Sequence, residues 1–441
     1  MKGICNLKSG IVPAVSSLVL ALSVMSLTAY AADDLRVNGD RLNETMLQMQ
    51  QFGQLPSGGS GRVAFSDADL EARKYLAGLM ADAGLAAEVD FAGNLIGRRA
   101  GSVPGLPPLV TGSHTDTVPN GGHYDGIVGS MSAIEVARTL HEAGTVLAHP
   151  LEVVIWTNEE AGKTGSRSID GSVQKKEFAL RALGEKTIGD GVRFLGGDPE
   201  RLAENERRPG DIAAYVELHV EQGATLDREG LSIGIVDGIV GIKRWNVSIE
   251  GFANHAGTTP MDQRRDALFA AARFIGEVRR IVTARPGSQV GTVGRIQAHP
   301  GAPNVVPGQV TLSLEIRDLD MRKIDSLFAG MENAGRLIGA DTGTTFSFEQ
   351  YYFSPAAITD ERIGQQVETS AGELGLSSKH LPSGAGHDAQ SIASVAPIGM
   401  IFVPSAKGLS HAPGEFTSAE QITDGANVLL RTLIGLDEAM R

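Results

Sequence analysis

The stretch Thr111 to Gly129, TGSHTDTVPNGGHYDGIVG, constrains the chain more than any other. It follows the short apolar run Pro108 to Val110 and precedes a helical pattern, so a strand delivers His114 and Asp116 into a glycine-rich loop that presents Asp125 just before a helix begins. A His with an Asp two residues on lets the imidazole bind a cation while the carboxylate fixes the ring, and Asp125 can reach the same ion or bridge two. The same spacing also fits an ordinary turn in which His114 and Asp116 cap or pair locally.

Residues 1–31 read as a secretory signal peptide. Lys2 and Lys8 precede the apolar stretch Ile11 to Leu27, and Ala29-Tyr30-Ala31 is a small-x-small cleavage site. An uncleaved anchor is the other reading, and Pro13, Ser16 and Ser17 interrupt the run against it. The expected location is the periplasm or the exterior, with no membrane association after cleavage. The single cysteine, Cys5, leaves with the leader, so any metal in the mature chain is held by His, Asp and Glu. The remaining length of about 410 residues suggests two domains. A net charge of −13, which becomes more negative without Lys2 and Lys8, argues against nucleic acid and anionic membrane as partners.

Periodicity predicts helices over Leu42 to Gln51 and Leu70 to Ala83, the second opened by a capping box from Ser66 to Asp69. Strand 108–113, helix 129–143 and strand 151–156 form a βαβ unit, which calls for a parallel or mixed sheet. The second of these strands runs into Thr157-Asn158-Glu159-Glu160. Adjacent acids at the carboxyl end of a buried strand are costly unless a cation or proton shares them. Glu160 reads as a metal ligand and Glu159 as the general base, since neighbours on an extended chain point apart; a solvated strand end is the plainer reading. Residues 162–210 read as polar and loop-like. In ELHVEQG, His219 shares a strand face with Glu217 and Glu221, which suits a ligand, although a lone strand His is commonly a core residue.

Composition changes near Ile242. Residues 242–353 give the order βαββαβ, a ferredoxin-like unit inserted into a catalytic domain of 32–241 and 354–441. Its edge strands are candidates for subunit pairing. Arg317, at a strand end, suits a bidentate clamp on a substrate carboxylate, or equally a surface pair with Asp318 or Asp320. His411, in a Gly/Ser/Pro loop after an apolar strand, has the position expected of a last ligand.

With GSHTDTV, YDGIVG, TNEE, ELHVEQG, NHAGTTPM, PNVVPG, SGAGHDA and SHAPGE in order, the chain resembles the zinc-dependent amidohydrolases of the M20 peptidase superfamily. It is most similar to the branch of N-carbamoyl-L-amino acid hydrolases and allantoate amidohydrolases. The resemblance implies an α/β, mixed-sheet domain with a dinuclear metal centre and an inserted lid and dimerisation domain. It implies that Asp125 bridges two divalent ions (Zn, Mn, Co or Ni), with His114 and His219 completing one site and Glu160 and His411 the other. Glu159 would take a proton from water, Asp116 would orient His114, and His255 would reach the partner subunit's site in a homodimer. Asn304 and Arg317 would hold the substrate carboxylate, while Gln222 and His387 would line the pocket. One departure stands out. The family follows its acidic pair closely with Arg-Phe, whereas this chain has EEAGKTGSRS.

The expected activity is hydrolysis of the carbamoyl C–N bond of an N-carbamoyl-L-amino acid. Allantoate and ureidoglycolate are alternative ureido acids, and aminoacylase or dipeptidase activity is a further one. A periplasmic solute-binding protein is the alternative from another class, and Glu159, useless to a receptor, argues against it.

Overall fold

Strand 109–114 is buried along its whole length, and a mixed sheet grows from both of its edges. The computed structural model describes residues 35–441; the expected signal peptide and Cys5 lie outside the described residues. Among the described residues no helix is long and apolar enough to cross a membrane.

In chain order the first strands are β1 Ala86–Val89, β2 Leu95–Arg99, β3 Leu109–His114, β4 Leu151–Trp156, β5 Ala214–Val220 and β6 Ile233–Ile239. Then come β7 Gly241–Glu250, β8 Asn254–His255, β9 Val290–His299, β10 Val305–Val306, β11 Gln309–Asp318 and β12 Thr345–Ser354. The last are β13 Ala357–Ile358, β14 Ser378–Ser383 and β15 Ile398–Val403. The large sheet runs β1-β2-β4-β3-β5-β15-β6-β13, with β14 also on β6. Its centre, β4-β3-β5-β15, is parallel and wholly buried, as strands covered on both faces must be. Helices Ile127–Glu142 and Ala419–Ala439 bury Met131, Ile134, Leu429 and Leu433 in the core on one face, and Trp156, Tyr215 and Phe402 fill the other. Because the four central strands are parallel, their carboxyl ends open on one edge, where α/β sheets bind ligands.

The second sheet, β12-β7-β11-β9, is antiparallel throughout. Helices Ala267–Thr283 and Met321–Thr342 close a separate core around Trp245, Phe274, Leu312 and Leu327. Strand β11 alternates buried and half-buried residues down its length, the signature of a sheet packed on one face. The strands β8 and β10 form a small ribbon of their own.

Several expectations shift. Ser66 caps the helix Asp67–Asp82 by accepting from the Asp69 N–H, but Asp69 answers to Phe65 N and to Arg73, so the reciprocal half of the capping box is absent. Short helices at Thr164–Ile169 and Ile188–Phe194 stand where the sequence reads as loop. Both are too brief and glycine-rich to show a period. Strands β6 and β14 were equally hidden, since Gly234 and Gly238 interrupt the first and polar residues the second.

Gly112 sits where β3 meets β4 most closely. Its φ is +147°, and a Cβ there would lie 1.9 Å from the Val154 carbonyl oxygen. Gly112→Ala is expected to cost about 3 kcal/mol or more through overpacking, seen as a lower urea midpoint. A midpoint equal to that of the parent would show that β3 and β4 can part without loss.

Candidate metal centre

The carboxyl ends of the four parallel strands supply the site. Strand β3 ends on His114, β4 leads into Glu159 and Glu160, β5 carries His219, and the loop after β15 brings His411. Asp125 reaches the same point because Gly126, at φ +69°, turns the chain into the helix Ile127–Glu142; a Cβ on Gly126 would lie 2.4 Å from His114 Nε2.

Asp125 is at the centre. Its Oδ1 lies 3.5 Å from His114 Nε2 and 3.2 Å from His219 Nε2, and its Oδ2 lies 3.3 Å from His411 Nε2. Glu160 Oε2 is 3.5 Å from His411 Nε2, and Glu159 Oε2 is 3.9 Å from His114 Nε2. The donor atoms of His114, Asp125 and His219 lie within 4.8 Å of one another, as do those of Asp125, Glu160 and His411. The Nδ1 atoms of His114 and His219 face the carbonyls of Asp116 and Val220, each at 2.9 Å. A carbonyl accepts only, so each Nδ1 carries a proton, which leaves Nε2 as the nitrogen turned toward Asp125 and the one a cation would take.

Charge balance also calls for a cation. Burial and the neighbouring Asp125 push Glu160 up to about 8. Burial likewise raises Glu159, against the opposing pull of His114 and Lys163. The hydrogen bond to Asp125 takes His411 up to about 9. Burial alone would raise Asp125, but the three imidazoles hold it well below the usual carboxylate range. Carboxylates crowded out of water in this way are stabilised by a divalent ion, and a nitrogen and oxygen donor set without thiolate suits zinc, manganese, cobalt or nickel. The residues present fit a metal.

The remaining site residues fall in different places. Asp116 orients His114 through its backbone carbonyl rather than its carboxylate, which instead accepts from the Glu159 and Glu160 N–H groups at 3.3 and 3.2 Å. Extended geometry cannot separate the two glutamates, because the strand stops at Trp156 and Asn158, at φ +57°, starts a turn. The turn sends Glu159 toward His114 and Glu160 toward His411. Gln222 donates to Asp125 Oδ2 at 2.6 Å. His387 is buried behind His219, ring centroids 4.5 Å apart, and pairs with Ser383 Oγ at 2.8 Å. Burial, reinforced by the charge of His219, holds it well below the ordinary imidazole value. It is therefore a neutral support rather than an open pocket wall.

His255 is in β8 and Asn304 immediately precedes β10; Ala256 N donates to Asn304 O at 2.9 Å, and both His255 and Asn304 are exposed. Arg317 pairs with neither Asp318 nor Asp320; its Nε donates to Glu315 Oε1 and its Nη1 to Gly384 O, at 2.7 and 2.8 Å. Sequence reasoning passed over three supports. Ser410 and Glu415, inside SHAPGE, bind Asp125: Ser410 Oγ donates to its Oδ2, and Glu415 accepts from its N–H. Glu217, taken as a mere neighbour of His219, groups with His219 and His387. Glu221, on the same strand face, instead accepts from Thr225 N and Leu226 N.

A mixed α/β sheet that gathers buried imidazoles and carboxylates round one shared aspartate, with a second buried glutamate beside them, is the framework of a metal-dependent hydrolase. Residues 110–434 match Peptidase family M20/M25/M40, and the chain belongs to that family. It is 38% identical over 402 residues to the N-carbamoyl-L-amino acid amidohydrolase of Geobacillus stearothermophilus, covering 90% of this chain and 98% of the relative. It is 34% identical to the allantoate amidohydrolase of Bacillus subtilis (strain 168), covering 88% and 95%. A solved amidase of the hydantoinase/carbamoylase family from Burkholderia multivorans superposes with a TM-score of 0.84 at 36% identity, covering 91% and 98%. The protein is an amidohydrolase.

Metal uptake requires the ligands to be unprotonated. With Glu160 near 8 and His411 near 9 in the metal-free protein, both hold protons at pH 7. Titration with Zn²⁺ or Mn²⁺ in weak buffer at pH 7 is expected to release protons, and affinity to rise with pH up to about 9. Uptake with no proton release would place the ion elsewhere.

Proposed function

We propose that this chain hydrolyses the carbamoyl C–N bond of an N-carbamoyl-L-amino acid at a centre of two divalent ions. The observation that carries the reading is that Asp125 offers one oxygen to His114 and His219 and the other to His411, with Glu159 alongside. The N-carbamoyl-L-amino acid amidohydrolase named above supports the substrate class.

Bound ions would polarise the ureido carbonyl and acidify an attacking water. Glu159 accepts the proton of that water at Oε2 and returns it to the departing nitrogen, a role its burial-raised pKa suits. The C–NH2 bond breaks, ammonia leaves, and the carbamate that remains loses carbon dioxide to give the free amino acid. Arg317, anchored by Glu315 and Gly384, presents its other N–H groups to the substrate carboxylate. His255 Nδ1 accepts from Gly257 N and Thr258 N at 3.0 and 3.2 Å, so its proton sits on Nε2. That donor suits a developing oxyanion in the partner subunit's site, with the inserted unit acting as lid and the edge strands β9 or β12 as the pairing surface of a homodimer. Residues 1–31 suit export to the periplasm.

Glu159→Gln is expected to keep metal and lose at least about 10²-fold in turnover, while His114→Ala loses metal; ion content and ammonia release check both. A metal-replete His114→Ala enzyme with parental turnover would sink the assignment. Arg317→Ala is expected to raise KM at least about tenfold for carboxylate-bearing ureido acids. An unmoved KM would put the clamp elsewhere. The test of the whole reading is ammonia release from N-carbamoyl-L-amino acids, allantoate and N-acetyl amino acids, with a chelator control. Amine without ammonia from the acetyl compounds would make the chain an aminoacylase.

A further inference from the structure

The run EEAGKTGSRS puts Lys163 three residues after Glu160, where the resemblance leads one to expect Arg-Phe. Lys163 adopts φ +54°, ψ +41°, the left-handed region that a side chain with a Cβ seldom occupies. Its N–H closes a turn on the Glu159 carbonyl at 3.1 Å. The reversal sends the side chain inward. The ammonium lands beside the loop that runs from Ser383 to Asp388, close enough that a Cβ on Gly386 would lie 3.6 Å from Nζ.

Gln390 fixes it there. Lys163 Nζ donates to Gln390 Oε1 at 2.6 Å, and the Gln390 amide is itself anchored on the Pro355 carbonyl at 2.7 Å. An ammonium has three donors, and the neutral amide uses one. Among the described residues no carboxylate pairs directly with Nζ; burial works against its charge, and Glu159, Asp388 and Glu217 support it through space. With a neutral amide as its direct partner, the ammonium keeps N–H donors for a further acceptor.

A second cation reaches the same loop from the other sheet. Arg317 Nη1 donates to the Gly384 carbonyl at 2.8 Å, and a Cβ on Gly384 would meet nothing within 4 Å. Gly384 thus leaves open space at the loop, with Arg317 on one side and Lys163, against Gly386, on the other. A substrate whose α-carboxylate is held by Arg317 has its side chain free to turn toward Lys163.

We propose that Lys163 is a specificity-determining residue that binds an acidic substrate side chain, so that the enzyme prefers N-carbamoyl derivatives of dicarboxylic amino acids to those of neutral ones. This rests on the ureido-acid reading above. The plainer role is a counter-ion for the buried acids around Glu159, which would aid every substrate alike.

The experiment measures kcat/KM of the metal-loaded full chain for N-carbamoyl-L-aspartate against its near-isostere N-carbamoyl-L-asparagine, in the parent, Lys163→Gln and Lys163→Arg. The parent is expected to favour the aspartate compound at least tenfold. Lys163→Gln is expected to lower that ratio at least tenfold, mainly through KM, and Lys163→Arg to retain most of it. A parental ratio of one or less overturns the inference, and this holds even if Lys163→Gln fails to fold. So does a Lys163→Gln enzyme that loses activity equally on both compounds, the mark of a counter-ion. Cleavage of neutral ureido acids without acidic preference sinks this inference alone; no cleavage of any ureido acid sinks the proposed function and this with it.

Discussion

Everything at this site depends on one buried carboxylate shared among three imidazoles. Asp125 is nearly without solvent, and an isolated carboxylate in that position would take up a proton rather than keep its charge. His114, His219 and His411 hold it ionised, and the chain adds donors to the same group: Gln222 and Ser410 both point at Oδ2. Glu415 secures the backbone on either side of the turn by accepting from Tyr124 N and Asp125 N. The arrangement is rigid on the His114 side, which is sealed by the sheet, and open at His411, whose side chain is 49% exposed. A metal site that receives substrate requires that asymmetry.

The parallel sheet explains why these residues meet. Strands β3, β4 and β5 run in one direction, so their carboxyl ends lie on one edge and the loops that leave them crowd together. The cost of packing polar groups there is carried by backbone in unusual conformations. Asn158, Lys163, Gln222 and His411 all have positive φ, and all four lie at or beside the site. Strain of that kind persists only where surrounding packing over-determines it. The second sheet has its own core and meets the site through polar contacts such as Arg317 with Gly384, an arrangement suited to movement between the two bodies.

How much of this was readable from the chain depended on whether the signal was local. The βαβ unit around β3 and β4 and the βαββαβ order between Gly241 and Ser354 show in hydrophobic periodicity, because each element is long enough to repeat its pattern. The helix at Thr164–Ile169 and strand β6 do not, being short and broken by glycine. Among site residues, His114, Asp125, Glu160, His219 and His411 stood out as polar groups placed against apolar strands. Ser410 and Glu415 sat inside a motif already noticed, and they bind each other, yet nothing in their spacing said that both also reach Asp125.

The sequence by itself determined the class of chemistry: oxygen and nitrogen ligands at strand ends, no thiolate beyond Cys5, and acids whose burial asks for a cation. These follow from residue type and alternation, which are properties of neighbours along the chain. Only the tertiary structure decided how the roles divide. It put the Asp116 carbonyl, not its carboxylate, on His114, drew Arg317 to Glu315, set His387 behind His219, and turned Lys163 inward beside Gly386. Each of these depends on the direction of a side chain after a turn and on groups many residues away, and such distances are set by packing rather than by spacing along the chain.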